Sequence, residues 1–381
     1  MHIVQVAPCF VDLQNETGGV SNIVRRIALG LARKNHRITL ICGNRELGVT
    51  KAQAGTRRHS SNLVQCIHHQ RSHPLLGPAI DFSSLNADPT EHLVVHVHTC
   101  FSTFTESAMS YCSKFRIPFI LTPHGKLSPI MLTRHSTLKS LYWRIHLKRI
   151  VNSANGIILS SAMEAIAFNR LGIHKPYMVI HNGYDEESLK RAHIYTKIFD
   201  DPYILYLGYL DKRKQPAFVI DIFRHSRIVR THKLVFAGPD PYGQRVRLEN
   251  MVNRCGLSDR VIFYGPAYGH EKWNLLKRAS CLCLPSKAEG LPVVLCEAVG
   301  ANVPALYSSA CNFPELAQAG CGVELGNFDI PLWKESLERI CLDENVNLRM
   351  REAADLIKPN YSWNSICNKW EDAYLESVPK R

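Results

Sequence analysis

The sequence predicts an α/β fold made of two doubly wound domains, each built on a parallel sheet. The chain has 381 residues, which exceeds the size at which a single hydrophobic core usually stops growing. Short apolar runs alternate with polar or amphipathic stretches in two successive series. Hydrophobic residues make up 45% of the chain and charged residues 21%, values typical of soluble globular proteins. Disorder is therefore excluded.

The first series opens with an apolar strand, HIVQVAP, an amphipathic helix, SNIVRRIALGLARKN, and a second strand, RITLICG. Further apolar runs of strand length follow at LVVHVH (93–98), FILTPH (119–124), GIILSS (156–161) and YMVIHNG (177–183). Strands that alternate with helices predict a parallel sheet in the first half of the chain.

The second series supplies another α/β unit. Its strands are expected at YILYLGYL (203–210), KLVFAG (233–238), RVIFYGP (260–266), CLCLPS (281–286) and VPALYS (303–308). The polar stretch 184–201 is the natural linker, so we place the boundary near residue 190, with domains at 1–190 and 191–361. In such sheets ligands gather at the carboxyl ends of the strands, and we expect the loops there to face a common cleft.

The C-terminal segment 362–378 predicts a helix. Apolar residues recur there at helical spacing and are expected in the core rather than at a cofactor: Trp363, Ile366, Trp370, Ala373 and Tyr374.

Charge, hydropathy and cysteine spacing indicate which partners, which compartment and which metal sites to expect. The net charge of +13 favours an anionic partner, which leaves nucleic acid, a membrane surface and phosphate-bearing molecules open. No apolar run approaches the ~20 residues that span a bilayer, and the N-terminus lacks the pattern of a signal peptide, so we expect a cytoplasmic protein. The thirteen cysteines lack the paired spacing of a zinc site; we expect reduced thiols and no metal.

The most informative segment is LPSKAEGLPVVLCEAVG (284–300), where a buried strand ends in a glycine-containing loop and a helix begins near Pro292. A helix N-terminus with Gly290 beside it suits a phosphate. Glu289 and Glu297 are acceptor-only groups that suit sugar hydroxyls. A pair of glycosidase carboxylates fits this segment less well, because such carboxylates act from opposite sides of a sugar and commonly come from separate elements. The alternative to sugar binding is that one of these glutamates caps the helix and the other is a solvated surface residue.

The segment EGLPVVLCE resembles the Glu-x7-Glu signature of retaining GT-B glycosyltransferases of family four. Further segments resemble the family in its order along the chain: ETGGVS with Gly18 and Gly19, HVHTCFS with His96 and His98, TPHGKLSP with His124, and IHNGYD. The resemblance implies two Rossmann-like domains facing a central cleft. It also implies that the C-terminal helix completes the first, acceptor-side domain, while the second binds the nucleotide-sugar.

The resemblance implies roles for individual residues. Glu289 would bind the hydroxyls of the donor sugar, Glu297 those of the ribose, and His124 would lie beside the transferred sugar. The residues implied as catalytic are Glu289, His124 and Lys214; those implied on the donor are Gly18, Gly19, Gly208, Lys214, Gly290, Leu291, Pro292 and Glu297; and those implied at the acceptor or the cleft are His98 and Lys126. For each histidine, a structural role in the core is the alternative.

A cationic site is expected in LGYLDKRKQ, because a leaving nucleoside diphosphate must be stabilised. Lys214 matches the Lys of the family. Tyr209 stands where the family usually has Arg, and Tyr supplies neither charge nor a guanidinium fork. Whether Lys212 or Arg213 replaces that Arg stays open. With Lys214 and a helix dipole available, the diphosphate does not require a metal, and we expect no cofactor.

The stretch 132–151 mixes basic and apolar residues, among them Arg144, Arg149, Leu141 and Trp143. Such a helix suits peripheral attachment to an anionic membrane on the inner face of the plasma membrane; packing on its own domain is the alternative.

The function implied is retaining, metal-independent transfer of a hexose-type sugar. The donor is a nucleotide-sugar and the acceptor a glycan or lipid-linked glycan, as in synthesis of capsule, O-antigen or exopolysaccharide. A sugar-nucleotide epimerase or a phosphorylase of the same fold stays an alternative. An NAD-dependent dehydrogenase is a more distant one, because the glycine cluster GCGVELG (320–326) has the wrong spacing. No nucleic-acid-binding module is recognisable, and nucleic acid is not expected as a partner.

Overall fold

The computed structural model of the chain describes residues 1–9, 11–13, 19–43, 58–60, 64–69, 92–127, 141–173, 175–192 and 199–377. These form two compact units, one from Met1–His181 with Trp363–Arg381 and the other from Asn182–Ser362. We expected a boundary near residue 190. Residues 182–192 belong to the second unit because Asn182 Nδ2 donates to the carbonyl of Leu291 at 2.7 Å, and Lys277 Nζ donates to the carbonyls of Leu189 and Ala192.

Each unit contains one sheet. The strands of the first unit are β1 His2–Ala7, β2 Arg37–Gly43, β3 Arg58–Ser60, β4 Val64–His69, β5 Leu93–His98, β6 Phe119–Thr122, β7 Gly156–Leu159 and β8 Tyr177–Val179. Those of the second are β9 Tyr203–Leu207, β10 Lys233–Ala237, β11 Val261–Gly265, β12 Cys281–Leu284, β13 Ala305–Ser308 and β14 Gly322–Leu325.

Helices alternate with these strands. They are α1 Val20–Ala32, α2 Thr103–Phe115, α3 Lys148–Asn152, α4 Ala162–Asn169, α5 Glu186–Arg191, α6 Pro216–His225, α7 Arg245–Arg254, α8 Gly269–Arg278, α9 Val293–Gly300, α10 Pro314–Gln318, α11 Ile330–Leu342, α12 Glu344–Ile357 and α13 Trp363–Ser377. A π-helical turn, Trp143–Leu147, runs directly into α3.

The sheet of the first unit has the order β3-β4-β2-β1-β5-β6-β7-β8, and its described pairs are parallel except β3 with β4. Helix α13 packs against α1, where Gly30 allows the close approach, since a Cβ at this position would lie 2.2 Å from Cys367 Sγ. Glu371 of α13 also binds Lys34 and His36 at 2.5 and 2.7 Å. The five apolar residues expected in the core of this helix are all buried, which confirms that prediction.

The sheet of the second unit is parallel throughout, with the order β11-β10-β9-β12-β13-β14. Apolar side chains fill both faces, as expected for strands with helices on either side. The glycine cluster at 320–326 contains β14, at the edge of the sheet. Its place at an edge strand differs from a dinucleotide-binding turn, which follows the first strand of a sheet.

Helix α9 depends on a glycine at its last position. A Cβ on Gly300 would lie 2.4 to 2.8 Å from ring carbons of Tyr184, which is buried in the core of the second unit. The absence of a side chain at Gly300 therefore sets how closely α9 approaches Tyr184.

We predict that Gly300→Ala lowers the free energy of unfolding by about 1–3 kcal/mol, because the added methyl overpacks against an enclosed ring. Urea denaturation measures the change. Gly326→Ala is the matched control, since a Cβ there meets nothing closer than Ser309 Oγ at 4.0 Å. Equal stability losses in the two variants would contradict this account of α9.

Candidate active site

The order in which strands are added to the second sheet reverses between β9 and β12, although all of its strands are parallel. The first strand of this unit, β9, has β10 on one side and β12 on the other, so successive strands are added first in one direction and then in the other. The loops that leave the carboxyl ends of β9 and β12 diverge at such a switch point, which is where open α/β sheets bind ligands. These two loops carry Lys214 and Glu289.

An ion pair joins the two loops. Lys214 Nζ donates to Glu289 Oε1, and both side chains are about four-fifths buried, with exposures of 20% and 17%. A backbone bond of 2.7 Å from Lys287 N to the carbonyl of Arg213 joins the loops a second time. The structure therefore brings Lys214 and Glu289, both named from the sequence, into direct contact.

Three neighbours hold Glu289 in place. Ser286 Oγ donates to Glu289 Oε1 at 2.9 Å, and Glu289 N donates to the carbonyl of Ala310 at 3.1 Å. Asn312 Nδ2 donates to the carbonyls of Glu289 and Gly290 at 2.7 and 3.0 Å. Both side-chain bonds of the carboxylate go to Oε1, so within the described ranges Oε2 is left to accept hydroxyl groups.

Two glycines bring the ends of β9 and β10 together. Gly208 has φ +150° and Gly238 φ +141°, and a Cβ on Gly238 would lie 2.1 Å from the carbonyl oxygen of Gly208. Only glycine fits such an approach. The side chain of Lys214 runs past Gly208, so the close approach of the two turns fixes the backbone beside this lysine.

Helix α9 begins at Val293, with Pro292 at the N-cap position, one residue after Leu291, whose side chain is buried. The sequence predicts Pro292 at the first helical position, but Pro292 is the N-cap and the helix begins one residue after it. Glu297 lies within α9 and is paired with Lys272 of α8 at 2.6 Å, both side chains being less than 10% exposed. Glu297 and Glu289 are therefore paired with different lysines.

The segment after Gly208 gives Arg213 a local partner. Its guanidinium donates to Asp211 Oδ2 at 2.6 and 3.0 Å, and its backbone N–H donates to Oδ1 at 2.7 Å. Although burial opposes it, these bonds hold the pKa of Asp211 below its usual value. Lys212 and Arg213 are exposed, whereas Lys214 is largely buried beside Glu289. Of the three basic residues, Lys214 is the one that reaches the carboxylate.

Histidines named from the sequence lie at the carboxyl ends of β5 and β6 in the first unit. His96 is buried and bonded through Nδ1 to Tyr374 Oη at 2.6 Å and through Nε2 to Thr122 Oγ1 at 2.9 Å, as expected for a structural histidine. His98 is also fully buried, and its Nδ1 lies 3.0 Å from Nε2 of His124. His124 is partly buried, in the turn after β6.

The electrostatics of these rings favour the neutral form. Burial, followed by the positive charge of Lys126, lowers the pKa of His124 to about 3. Burial, followed by the neighbouring His96 and His124, holds the pKa of His98 well below its usual value. Both rings are therefore neutral imidazoles at neutral pH.

The N-terminal glycine loop lies partly outside the described residues. Gly18 falls outside them. Gly19 is the N-cap of α1 with φ +61° and ψ −136°, a conformation that favours glycine. Lys126 lies half-buried in the turn after His124.

Sequence reasoning missed several residues of the site. Ser286, Asn312 and Lys272 contact Glu289, its loop and Glu297. Glu164 was missed as well: its Oε1 accepts from Gly125 N, next to His124, at 2.6 Å. A Ser-x-x-Glu capping pattern at 161–164 marks the start of α4, but no local pattern indicates the contact with Gly125.

Within the described residues, no three His, Cys, Asp or Glu side chains are grouped so that they could hold a metal ion. Among the same residues, no helix is both long enough and apolar enough to cross a membrane.

Two family models match the chain. One, described as Glycosyltransferase Family 4, covers residues 17–188, and the other, described as Glycosyl transferases group 1, covers 192–356. Together they include the site in the second unit and the histidines of the first.

Similar proteins are glycosyltransferases. A D-inositol 3-phosphate glycosyltransferase of Xylanimonas cellulosilytica is 23% identical over 48% of this chain, and the match spans only 44% of that relative. A Campylobacter jejuni protein is 22% identical over 84% of this chain and 92% of its own length; its name is GalNAc-alpha-(1->4)-GalNAc-alpha-(1->3)-diNAcBac-PP-undecaprenol alpha-1,4-N-acetyl-D-galactosaminyltransferase.

The fold is shared with solved structures. Sucrose-phosphate synthase of Thermosynechococcus elongatus superimposes with a TM-score of 0.76 at 17% identity, over 99% of each chain. With two parallel-sheet α/β units and family models over both halves, the chain belongs to the GT-B glycosyltransferases of the group 1, family 4 type.

Proposed function

We propose that the chain transfers a hexose-type sugar from a nucleotide-sugar donor to a glycan or lipid-linked glycan acceptor, with retention of anomeric configuration. The observation that carries this proposal is the Lys214–Glu289 pair across the switch point of the second sheet. It sets a cation for phosphate and a hydroxyl acceptor side by side, as a sugar diphosphate requires.

Each group of the site has a part in binding the donor. Glu289 Oε2 accepts hydrogen bonds from hydroxyls of the donor sugar. Lys214 has three N–H donors, so it can keep its bond to Glu289 while it binds the diphosphate. The N-terminus of α9 contributes the positive end of its dipole to the phosphate. Glu297 accepts from the ribose, with Lys272 balancing its charge.

The chemical step follows from the charge that develops. The bond from the anomeric carbon to the phosphate oxygen breaks, and Lys214 with the helix N-terminus stabilises the nucleoside diphosphate that leaves. The acceptor oxygen bonds to the anomeric carbon on the same face, and its proton passes to an oxygen of the leaving phosphate. His124 donates a hydrogen bond to a substrate oxygen as a neutral imidazole. We propose that these groups meet the charge without a metal ion or cofactor.

The acceptor is proposed from similarity and charge. The Campylobacter jejuni relative, matched over most of both chains, has a PP-undecaprenol-linked saccharide in its name. The net charge of +13 suits a diphosphate-bearing acceptor. We propose a role in cell-surface polysaccharide synthesis, on the cytoplasmic face of the membrane.

We predict that incubation with a panel of UDP-, GDP- and ADP-sugars and a lipid-linked saccharide gives product from one nucleotide class. The first-formed product keeps the anomeric configuration of the donor, which proton NMR reads from its coupling constant. Donor without acceptor undergoes slow hydrolysis only. An inverted product would overturn retention, and inversion of a ring carbon in the donor alone would identify a sugar-nucleotide epimerase.

A membrane-facing surface is proposed at residues 141–149 of the first unit. Trp143 and Leu147 are buried in its core, whereas Leu141, Tyr142 and Ile145 are exposed by 56%, 40% and 70%. Arg144 and Arg149 are also exposed in this stretch. Exposed apolar side chains among cations are the composition with which a peripheral helix binds anionic lipid.

We predict that the protein sediments with vesicles of anionic phospholipid at low salt and is released at high salt. The double variant Ile145→Ser/Arg149→Ser binds about tenfold more weakly, since it loses an apolar contact and ~1 kcal/mol from one cation. Leu356→Ser is the control, because Leu356 is 81% exposed in the second unit. Equal binding by wild type and the double variant would remove this surface from the proposal.

A further inference from the structure

The turn that carries His124 has a fixed backbone. His124 has φ +51° and Gly125 φ +75°, so two consecutive residues adopt left-handed conformations. Gly125 N donates to Glu164 Oε1 at 2.6 Å, and the other oxygen of this buried carboxylate accepts from Ser160 N and Oγ, each at 2.7 Å. The position of the His124 backbone is therefore set by bonds that do not involve its ring.

The ring of His124 is held by a second imidazole. His98 Nδ1 lies 3.0 Å from His124 Nε2, and the two ring planes differ by 15°. His98 itself is packed against His96, with ring centroids 3.8 Å apart. Since His98 is fully buried, it reaches a substrate only through His124.

A hydrogen bond between two neutral imidazoles admits two arrangements. In one, His98 Nδ1 carries the proton and donates to a bare Nε2 of His124. In the other, His124 Nε2 carries the proton and donates to a bare Nδ1 of His98. Each neutral ring has one proton, so the choice at this bond fixes the proton on the far nitrogen of both rings.

The far nitrogen of His98 distinguishes the two arrangements. His98 Nε2 is buried, and within the described ranges it has no hydrogen-bond partner. In the second arrangement it would be an unpaired buried N–H, which folded proteins rarely tolerate. In the first arrangement His98 Nε2 carries only an unpaired lone pair, and no buried N–H of this ring is left without a partner. The first arrangement is therefore favoured.

We propose that His98 is a positioning residue that donates from Nδ1 to His124 Nε2 and so fixes the proton of His124 on Nδ1. The nitrogen left for the substrate is then a hydrogen-bond donor. This last step rests on the proposed function of His124, whereas the tautomer itself does not. His98 thus has a role distinct from the contact at the acceptor or the cleft that the sequence implied.

The bond keeps its form across the working pH range. Burial and Lys126 hold the pKa of His124 near 3, and burial, with its histidine neighbours, holds that of His98 well below its usual value. Neither ring gains a second proton near neutrality, so one proton stays in the bond between the rings and the tautomer is maintained.

The test is nitrogen-15 NMR of the full chain labelled at histidine, with the His124 signals assigned by their loss in His124→Gln. The expected result for wild type is a protonated Nδ1 and a bare Nε2 on His124. His98→Asn preserves this pattern, because the amide Nδ2 donates from nearly the position of Nδ1. His98→Leu loses it. His96→Asn is the matched control, a change to an equally buried histidine two residues away on β5 that leaves the His124 tautomer unchanged.

Kinetics gives the second readout. His98→Leu lowers kcat at least tenfold with less than a twofold change in the KM of the donor, and His98→Asn recovers most of kcat. A protonated Nε2 on His124 in wild type overturns the proposal, as does a His124 tautomer that is the same in the Asn and Leu variants. If NMR gives the expected tautomers while His124→Gln retains full activity, His98 still sets the tautomer and the proposed role of His124 in transfer fails.

Discussion

The site depends on one ion pair, between Lys214 and Glu289, which joins the loops after β9 and β12. These strands are neighbours at the point where the order of strand addition reverses, so their loops diverge at the carboxyl edge of the sheet. Ser286 and Asn312 hold the Glu289 loop through hydrogen bonds. The close approach of Gly238 to Gly208 fixes the turn that lies beside the Lys214 side chain. Each bond fixes part of the geometry of the pair.

Much of the fold follows from apolar periodicity. The expected runs at 93–98, 203–210 and 281–286 contain β5, β9 and β12. The strands β3, β4 and β14 were not expected from the sequence. The order of strands, and hence the switch point, results from pairing between distant segments and is not contained in any local pattern.

The residues of the site divide in the same way. Glu289, Glu297 and Lys214 lie in motifs whose spacing indicates an anion-binding turn and a cationic loop, so sequence reasoning reached them. Their partners are separated from them in sequence: Lys272 from Glu297 by 25 residues, and Asn312 from Glu289 by 23. Such contacts exist only after the sheet has formed. For the same reason the sequence named His98 without indicating that its partner would be His124.

The most direct measurement compares two carboxylates of the second unit in a sugar-transfer assay. Glu338 is held by Ser226 Oγ at 3.1 Å and Arg227 Nε at 3.0 Å, much as Glu289 is held by Ser286 and Lys214, but it lies on α11, away from the loops after β9 and β12. We predict that Glu289→Gln lowers the transfer rate about a hundredfold or more with the fold retained, while Glu338→Gln leaves the rate within about twofold of wild type. Full activity in Glu289→Gln, or an equal loss in both variants, would contradict it.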